Sequence, residues 1–548
     1  MPKLPSVPRI VITATGRTSA ALLDATRRAL GYTRFVELRL DWVPEPDAVL
    51  RALPALLRRF SAKRPLCIAT CRRKPNGGEF RGTVAAQLAL LEQAAAAGCR
   101  LTDLQIESAE SLGQARVASL RRRAGLILSF HDFQRMPRPE PVARRLQRFP
   151  ADFYKLVGTA TRQSDNCAVL EFLLSRLTPK RIQTRERPEP SPWVAFCMGE
   201  TGIPSRILAL SRGSRFVYAA LPPESVPTRV PKEPQEPNPL AAPGQIDWNS
   251  LRYRYSADKL TPQSAIYGLV GSPVAQSIGA AIHNAALRSR RLDGVYIPFL
   301  VNQLGDFRKA AARYRLAGFS VTIPHKQGVL RAADRTDPPA RSAGAANTVR
   351  IAHANHWEAT NTDIEGIVTP LRRAFRLAEG ATLRPGFRAV ILGNGGAARA
   401  AVLALRLLQC SSIQVTGRNP ARVRRFVREL GGSAMPLERL AQHEVDLLVQ
   451  TTPVGMWPRT TESPLQPEQI TARVVFDLVY NPPETRLLQL ARSKGCRTIS
   501  GLEMFLSQAA GQFGYWTKLE APVRLMKRVA IEELNRFPTD DTADRGNA

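Results

Sequence analysis

The sequence predicts an α/β protein in which an N-terminal (β/α)8 barrel is followed by a second α/β half with a Rossmann domain. Eight short apolar runs alternate with helical patterns over about 220 residues, which is the rhythm of a barrel. Residues 222–243 then hold eight prolines, and such a stretch packs neither as a helix nor as a central strand. A second alternating series starts with "AIYGLVG" at 265–271, so composition alone places a boundary between two α/β halves.

The predicted barrel strands are short apolar runs, and helical patterns rich in Ala, Leu and Arg separate them. In chain order they are "RIVITA", "FVELRL", "LCIAT", "TDLQI", "LILSF", "DFYKL", "VAFC" and "RFVYA". The second half alternates in the same way through to "RVVFDLVY" and has no repeat relation to the first.

Length and composition describe a globular protein of several domains. A chain of 548 residues exceeds one ordinary core, so we expect two to four domains. No apolar run approaches the roughly 18 to 20 residues that cross a bilayer. The chain enters a strand by Ile10, which predicts no signal or transit peptide. The seven cysteines form no CxxC and no Cys/His cluster, which predicts reduced thiols, no metal site and a cytoplasmic location.

The formal net charge of +32 permits binding of nucleic acids and of small anionic substrates. The arginines are spread along the chain, as in "RRR" at 121–123 and "RVRRFVREL" at 422–430. No zinc-finger, helix-turn-helix or RNA-binding signature accompanies them, so we expect an arginine-rich solvated surface and no nucleic-acid partner.

Polar residues at the ends of the predicted barrel strands are candidates for chemistry, because the C-terminal ends of barrel strands carry the active site. Each alone is a weak signal, since a buried histidine is more often part of a core and a lysine in a strand can snorkel. Lys155 has Phe153, Tyr154, Leu156 and Val157 around it, and apolar surroundings lower the pKa of an amine. A neutral amine there could form a Schiff base, and an imidazole could move protons at neutral pH. The candidates are Glu37, Arg39, Arg72, His131, Asp132, Lys155 and Arg206.

Six ordered motifs of this half resemble type I 3-dehydroquinate dehydratase over about residues 9–250. They are "FVELRLDW", "TCRRKPNGG", "SFHDF", "FYKLVGTA", "MGETGIPSR" and "APGQI". The resemblance implies Lys155 as the Schiff-base lysine and His131 as the general acid/base. It implies substrate contacts from Glu37, Arg39, Arg72, Arg206 and Gln245, with Arg206 on the substrate carboxylate.

The resemblance also moves the predicted domain boundary and exposes two departures. The proline stretch becomes an insertion ahead of the "APGQ" segment, so the barrel spans 1–250 and the junction falls near 248–262. Asn76 stands where the family has an acidic residue that orients the histidine, and an amide cannot stabilise an imidazolium by charge. Ala241 replaces a serine of the lid. We therefore expect an active barrel with reduced rate, and a dead, structural barrel is the alternative.

In the second half, "AVILGNGGAARA" at 389–400 is a strand that leads through glycines into a helix. Such glycines permit a tight turn and close approach of a pyrophosphate to a helix N-terminus, although similar loops also serve as plain turns. About twenty residues on, "TGRNPAR" offers arginines where NAD-binding domains carry an acidic residue, which argues for the 2′-phosphate of NADP. The candidate NADP-binding residues are Gly393, Gly395, Gly396, Ala397, Arg418 and Arg422.

The second half resembles shikimate dehydrogenase from about residue 264 to 535. The motifs are "YGLVGSPVAQS", "HNAAL", "SVTIPHK", "GAANTV", "TNTD", "ILGNGGAARA", "TTPVGMWP", "FDLVYNPPETRLL" and "GLEMFLSQAAGQFGYWT". The resemblance implies a substrate-binding domain at 262–368 that 506–535 completes, and an NADP-binding Rossmann domain at 369–505. We expect a disordered tail at 536–548.

Lys326 stands out because the chain has only twelve lysines among its 78 Lys and Arg residues. A lysine just past a strand could be a solvated loop residue or a catalytic ammonium at a pocket rim. The resemblance favours the second reading, with Asp363 as its carboxylate partner; an arginine would stay protonated and serve poorly as an acid/base. It also implies substrate contacts from Ser277, Thr322, Asn347 and Gln508. Gly279 replaces a serine of the family, which predicts weaker shikimate binding and some oxidation of quinate.

Together these motifs resemble the fused dehydroquinate dehydratase/shikimate dehydrogenase known from plants. The resemblance implies dehydration of 3-dehydroquinate to 3-dehydroshikimate, followed by NADPH-dependent reduction to shikimate. One alternative is a quinate/shikimate dehydrogenase with an impaired barrel. An alternative of another class is a basic nucleic-acid-binding protein that reuses both folds.

Overall fold

The computed structural model describes residues 7–177, 191–223, 243–274 and 277–536. The predictions for Ala241, for most of the proline-rich stretch and for the tail beyond 536 lie outside these ranges. The chain divides into two compact units. Unit 1 comprises 1–265 and 293–315, and unit 2 comprises 266–292 and 316–548.

Unit 1 is a nearly closed barrel of eight parallel strands, as predicted. The strands follow one another in the order β7-β6-β5-β4-β3-β2-β1-β8, so β8 pairs with β1. Backbone N–H groups of Ser191 and Arg215 bond to the carbonyls of Gly213 and Trp193, which links the two end strands of the ladder. The strands are β1 Ile10–Ala14, β2 Phe35–Arg39, β3 Leu66–Thr70, β4 Leu101–Gln105, β5 Gly125–Asp132, β6 Phe153–Thr159, β7 Trp193–Met198 and β8 Val217–Ala220.

Helices follow the barrel strands. Helix α1 begins after Thr18, whose side chain accepts from the N–H of Ala21 and caps the first turn, and its Leu22, Ala25 and Ala29 are buried. The helices are α1 Ser19–Tyr32, α2 Pro46–Arg59, α3 Val84–Ala96, α4 Ile106–Arg123, α5 Pro139–Leu146, α6 Gln163–Ser175 and the short α7 Ile203–Leu208.

The barrel interior changes from apolar to polar along the strands. Phe35 and Phe153 lie at the first residues of β2 and β6, and both pack edge-on against Phe216 with ring centroids 5.1 and 5.5 Å apart. Later residues of the same strands are Glu37, Arg39 and Lys155, which are also buried. The N-terminal half of the barrel is therefore a packed core, and the polar side chains collect toward the C-terminal ends of the strands.

Residues 293–315 belong to unit 1 although they follow the barrel sequence. They form β10 Gly294–Leu300 and the next helix, α9 Leu304–Tyr314. Asp306 Oδ2 accepts from the backbone N–H groups of Gln163 and Ser164 at 2.8 and 3.2 Å, which satisfies two donors at the start of α6. Arg313 makes a bidentate ion pair with Glu171 at 2.6 and 2.7 Å. The predicted domain boundaries, which place 293–315 within 262–368, stay a prediction.

Unit 2 contains a mixed sheet and a parallel sheet. In the mixed sheet, β11 runs parallel to β9 and antiparallel to β13, β13 pairs antiparallel with β14, and β12 runs parallel to β14. These strands are β9 Ala265–Gly271, β11 Leu316–Val321, β12 Arg335–Thr336, β13 Thr348–Ala352 and β14 His356–Thr360.

The parallel sheet of unit 2 has the strand order β17-β16-β15-β18-β19-β20. This is the doubly wound order in which the chain reverses between β15 and β18, and ligands bind outside the carboxyl ends of strands at such a switch point. The prediction of a Rossmann domain is confirmed. Its strands are β15 Arg388–Leu392, β16 Ser412–Thr416, β17 Ser433–Ala434, β18 Val445–Gln450, β19 Ala472–Asp477 and β20 Arg497–Ile499.

Along the chain, the helices of unit 2 lie between the strands of these two sheets, and the last two helices follow β20. They are α8 Gly279–Ser289, α10 Lys326–Ala332, α11 Pro338–Ala343, α12 Asp363–Phe375, α13 Gly396–Leu407, α14 Pro420–Leu430, α15 Arg486–Ser493, α16 Gly501–Thr517 and α17 Val523–Leu534. No helix within the described ranges has the length and apolar character needed to cross a membrane.

Candidate active sites

The barrel encloses a cavity whose lining includes all seven barrel residues predicted to act on substrate. The structure thus brings together residues that lie up to 208 positions apart in the chain, from Glu37 to Gln245. The seven are Glu37, Arg39, Arg72, His131, Lys155, Arg206 and Gln245. Asp132, a weaker candidate on β5, does not line the cavity; its carboxylate accepts from the backbone N–H groups of Gln134 and Arg135.

Lys155 is buried within this cavity, with only 3% of its surface exposed. Its Nζ atom lies 3.0 Å from Asp103 Oδ2 and 3.9 Å from Glu37 Oε1. Burial lowers the pKa of the Lys155 ammonium below its ordinary value, against the opposing effect of the two carboxylates. The side chain can therefore reach the neutral, nucleophilic state at lower pH than an exposed lysine.

His131 accepts a hydrogen bond from Arg72, whose Nη2 lies 2.9 Å from His131 Nε2. A guanidinium has no acceptor, so Nε2 must be unprotonated and the ring is the neutral Nδ1–H tautomer. Burial, then Arg72, Lys155 and Arg39, hold the pKa of His131 well below its usual value. Nδ1 has no hydrogen-bond partner within the described ranges, so the Asn76 amide does not orient this ring.

Neighbouring residues hold the side chains of the other charged barrel residues, and these side chains line the cavity. Thr13 and Thr70 donate to the two oxygens of Glu37 at 2.8 and 2.7 Å. Burial lowers the pKa of Arg206 to about 10, and its Nη2 donates to the carbonyl of Pro243. With Arg39, Arg72, Arg206 and Lys155 against Glu37, the lining has an excess of positive charge, which suits an anionic substrate.

Sequence reasoning missed three residues of this site. Asp103 pairs with Lys155, but the sequence analysis predicts it only as part of a strand. The sequence feature that could have identified it is a carboxylate inside an otherwise apolar run. Lys155 and Arg72 outweigh burial and keep the pKa of the Asp103 carboxyl below its usual value. Thr13 and Tyr218 line the cavity from β1 and β8, and no sequence signal separates them from ordinary strand residues.

A second polar cluster lies in unit 2. Lys326 Nζ lies 2.6 Å from Asp363 Oδ2, and Asn347 Nδ2 donates to Asp363 Oδ1 at 2.7 Å. Asn347 Nδ2 also lies 3.5 Å from Gln508 Oε1. Lys326 and Asp363 are the first residues of α10 and α12, so each follows directly on a loop at the end of a strand. The ammonium is partly exposed while Asp363 is buried, so the proton-bearing group faces an open side.

Ser277 and Thr322, the other two predicted substrate contacts, do not join this network by any hydrogen bond in the described part of the chain. Ser277 Oγ accepts from the N–H of Gly279 at 3.1 Å and interacts with the hydroxyl of Tyr480, a residue that sequence reasoning did not single out. The backbone N–H of Thr322 donates to the carbonyl of Val270, which fixes the loop that leads to Lys326.

The glycine loop after β15 forms a cradle at the start of α13. Gly393 has φ +111°, and a Cβ there would lie 2.5 Å from Thr451 Oγ1, so no other residue fits this turn. At Gly395 and Gly396 a Cβ would meet no atom within 4 Å, which leaves the helix N-terminus open to a ligand. Ala397 continues the first turn of this helix.

Arg418 and Arg422 follow β16, whose last residue is the partner of Leu392 on β15. Both side chains are exposed, and neither makes an ion pair in the ranges that the structure describes. Asn419 caps α14 by accepting from the N–H of Arg422 at 3.0 Å. An open glycine cradle with two unpaired guanidiniums at the same sheet edge fits the pyrophosphate and 2′-phosphate of NADP.

The described residues contain no group of three His, Cys, Asp or Glu side chains with metal-binding geometry. All seven cysteines are free thiols, and five of them are buried.

The fold and the two polar clusters define a two-site α/β enzyme, with a buried lysine in a barrel and a lysine–aspartate pair that follows strands of the mixed sheet in the unit that also contains the Rossmann sheet. The type I 3-dehydroquinase family model matches residues 10–262. The model of the shikimate dehydrogenase substrate binding domain matches 269–349, and that of the shikimate 5'-dehydrogenase C-terminal domain matches 501–531.

Individual relatives and one solved structure are similar to the chain. The chain is 29% identical over 506 residues to the chloroplastic bifunctional 3-dehydroquinate dehydratase/shikimate dehydrogenase of Arabidopsis thaliana, covering 89% of this chain and 78% of that protein. It is 37% identical over 292 residues to a shikimate dehydrogenase (NADP(+)) of Nostoc sp., covering 50% of this chain and 99% of the relative. A crystal structure of a shikimate dehydrogenase in complex with NADP+ shares 30% identity at a TM-score of 0.46, covering 50% of this chain and 97% of that one.

The chain belongs to the shikimate dehydrogenase family, and it carries a type I 3-dehydroquinase domain ahead of its shikimate dehydrogenase domains. The fold and the family predicted from sequence are confirmed.

Proposed function

We propose that this protein carries out two consecutive steps, each in its own unit. The barrel dehydrates 3-dehydroquinate to 3-dehydroshikimate, and unit 2 reduces 3-dehydroshikimate to shikimate with NADPH. The observation that carries the proposal is the convergence of all seven predicted barrel residues on one cavity around a buried lysine.

In the barrel, the neutral amine of Lys155 attacks the substrate ketone, and the carbinolamine loses water to give an imine. The imine nitrogen takes up a proton from solvent, and this proton is returned when the imine is hydrolysed. The imine acidifies the neighbouring C–H bond, and the neutral His131 takes that proton. The resulting enamine expels the hydroxyl on the next carbon, which leaves as water with a proton from His131. A second water hydrolyses the imine, so the net reaction is the loss of one water. Arg206 holds the substrate carboxylate.

In unit 2, Lys326 exchanges a proton with the oxygen of the reacting carbon, and Asp363 orients its ammonium. When bound, NADPH supplies the hydride that reduces the ketone. Asn347 and Gln508 hold substrate hydroxyls beside this pair, while Ser277 and Thr322 contact the ring and carboxylate. Gly393, Gly395, Gly396 and Ala397 receive the pyrophosphate, and Arg418 and Arg422 receive the 2′-phosphate.

A coupled assay tests the function directly. Purified protein is given 3-dehydroquinate and NADPH, and shikimate formation is followed by chromatography alongside NADPH oxidation. We expect shikimate from 3-dehydroquinate and also from 3-dehydroshikimate. If only 3-dehydroshikimate is reduced, the barrel is impaired and the protein is the alternative, a quinate/shikimate dehydrogenase. The observation that favours this alternative is that Nδ1 of His131 has no hydrogen-bond partner in the described ranges, so no carboxylate orients the ring.

We also propose a cytoplasmic location, supported by the seven free cysteines, and no nucleic-acid partner, supported by the even spread of arginines. A gel shift with random duplex DNA that showed tight binding would contradict the second point.

A further inference from the structure

Tyr218 is the one tyrosine that lines the barrel cavity in the part of the chain that the structure describes. It lies on β8, only 5% of its surface is exposed, and it shares the cavity with Lys155, His131 and Arg206. Its hydroxyl is buried and has no hydrogen-bond partner in the described ranges. A buried hydroxyl without a partner destabilises a fold, whereas phenylalanine would fill the same space without that cost.

The ring of Tyr218 also faces the reactive amine. Lys155 Nζ lies 3.9 Å from the ring centroid, a distance at which the negative face of an aromatic ring stabilises a cation. Burial raises the pKa of the Tyr218 hydroxyl well above its ordinary value, so the group remains a neutral hydrogen-bond donor over the working range of the enzyme.

We propose that Tyr218 is a catalytic residue of the dehydration: its hydroxyl binds a substrate oxygen, and its ring stabilises the positive charge of the protonated imine on Lys155. This inference rests on the proposed imine mechanism and adds a residue to it. The hydroxyl and the ring contribute separately, since one contacts the ligand and the other contacts the lysine nitrogen.

Two variants of the full chain separate these contributions. Tyr218→Phe removes the hydroxyl and keeps the ring, and Tyr218→Leu removes both. Tyr154→Phe is the matched control, because Tyr154 precedes Lys155 on β6 and its hydroxyl donates to the carbonyl of Phe149. Reduction of 3-dehydroshikimate reports in every variant whether unit 2 is folded, and borohydride trapping of the imine on Lys155 reports whether the barrel is folded.

We expect Tyr218→Phe to raise KM for 3-dehydroquinate about three- to tenfold with little change in kcat, the range for one neutral hydrogen bond. Tyr218→Leu should in addition lower kcat. In this variant, the yield of borohydride-trapped imine should begin to fall only at a lower pH than in wild type, because loss of the ring destabilises the protonated amine of Lys155. Apart from position 218, both variants keep every charged or titratable group that surrounds Lys155. These are Glu37, Arg39, Arg72, Asp103, His131 and Arg206.

The outcomes distinguish this inference from the proposed function. If wild-type protein neither dehydrates 3-dehydroquinate nor forms a trapped imine, the proposed function of the barrel is wrong. If wild type is active and Tyr218→Phe matches both wild type and Tyr154→Phe in KM, the hydroxyl does not bind substrate. If Tyr218→Leu shares its pH profile with Tyr218→Phe, the ring does not stabilise the cation.

Discussion

Arg72 Nη2 lies 2.9 Å from Nε2 of His131, so a guanidinium and an imidazole share one hydrogen bond inside the barrel. The guanidinium can only donate, which fixes the tautomer and leaves the imidazole neutral. His131 thus enters the reaction as a base, with Arg72, Lys155 and Arg39 around it all opposing its protonation.

A carboxylate at position 76 should change the pH dependence of dehydration. The pKa of His131 is depressed, so wild-type His131 stays neutral well below the usual histidine range and the acidic limb of activity lies at low pH. Asn76→Glu should stabilise the imidazolium, raise that pKa and move the acidic limb to higher pH. The measurement is the pH profile of kcat/KM on 3-dehydroquinate. Asn76→Gln is the neutral control, and a limb that stays in place in both variants would contradict the expectation.

Replacement of Lys155 should abolish dehydration alone. Lys155→Arg keeps a cation but removes the nucleophile, so the dehydration rate should fall to background while reduction of 3-dehydroshikimate is retained. Borohydride treatment of wild type with substrate should leave a secondary amine on the peptide that contains Lys155. An unmodified Lys155 in protein that is active and treated in this way would rule out the imine.

Removal of the charge on Asp363 should slow the reductase step. Asp363→Asn retains the hydrogen-bonding shape but no longer pairs with the Lys326 ammonium 2.6 Å away. We expect kcat for 3-dehydroshikimate reduction to fall by roughly 10²- to 10⁴-fold, the range for general acid–base groups. Glu365→Gln, an exposed acid in the same first turn of α12, is the matched control. Equal rates in the two variants would remove Asp363 from the mechanism.

Arg418 should set the cofactor preference. A hydrogen bond to a charged phosphate contributes about 1.5–3 kcal/mol, so Arg418→Ala should reduce the NADP/NAD ratio of kcat/KM by about 10- to 100-fold. Arg424→Ala, on an exposed position of α14, which begins two residues after Arg418, should leave the ratio unchanged. An unaltered ratio in Arg418→Ala would show that another group reads the 2′-phosphate.

Gly279 should widen the substrate range of unit 2. It lies at the start of α8, where its N–H bonds to Ser277, and it offers no hydroxyl to a substrate carboxylate. We expect measurable oxidation of quinate beside shikimate, and Gly279→Ser should tighten shikimate binding by roughly one to two orders of magnitude. The ratio of kcat/KM for the two acids decides this. If Gly279→Ser leaves the shikimate kinetics unchanged and the wild type does not turn over quinate, Gly279 is a neutral replacement.

Most of the fold was predictable from local sequence pattern. All eight barrel strands fall on the apolar runs, because strands buried on both faces need such runs regardless of their neighbours. The burial of Lys155 was likewise predictable, since its four flanking residues are apolar or aromatic.

The contacts that tune the sites were not predictable in this way. Asp103 and Tyr218 lie 52 and 63 positions from Lys155 in sequence, so only barrel closure brings them to its amine. The bond between Arg72 and His131 depends equally on the geometry of two separate strands. The assignment of 293–315 to unit 1 follows from contacts with α6, which no boundary signal in the sequence reveals.

Because Asp306 caps the start of α6, the order of synthesis affects when this helix can fold completely. A ribosome releases the chain from its N-terminus, and domains fold as units while synthesis continues. All eight barrel strands have been synthesised by Ala220. The N–H groups of Gln163 and Ser164 at the start of α6 nevertheless lack their acceptor until Asp306, which follows them by 143 and 142 residues, has been synthesised. We expect nascent chains that stop before Asp306 to hold a barrel with a frayed α6, and the helix to become fully protected only once residue 315 has left the exit tunnel.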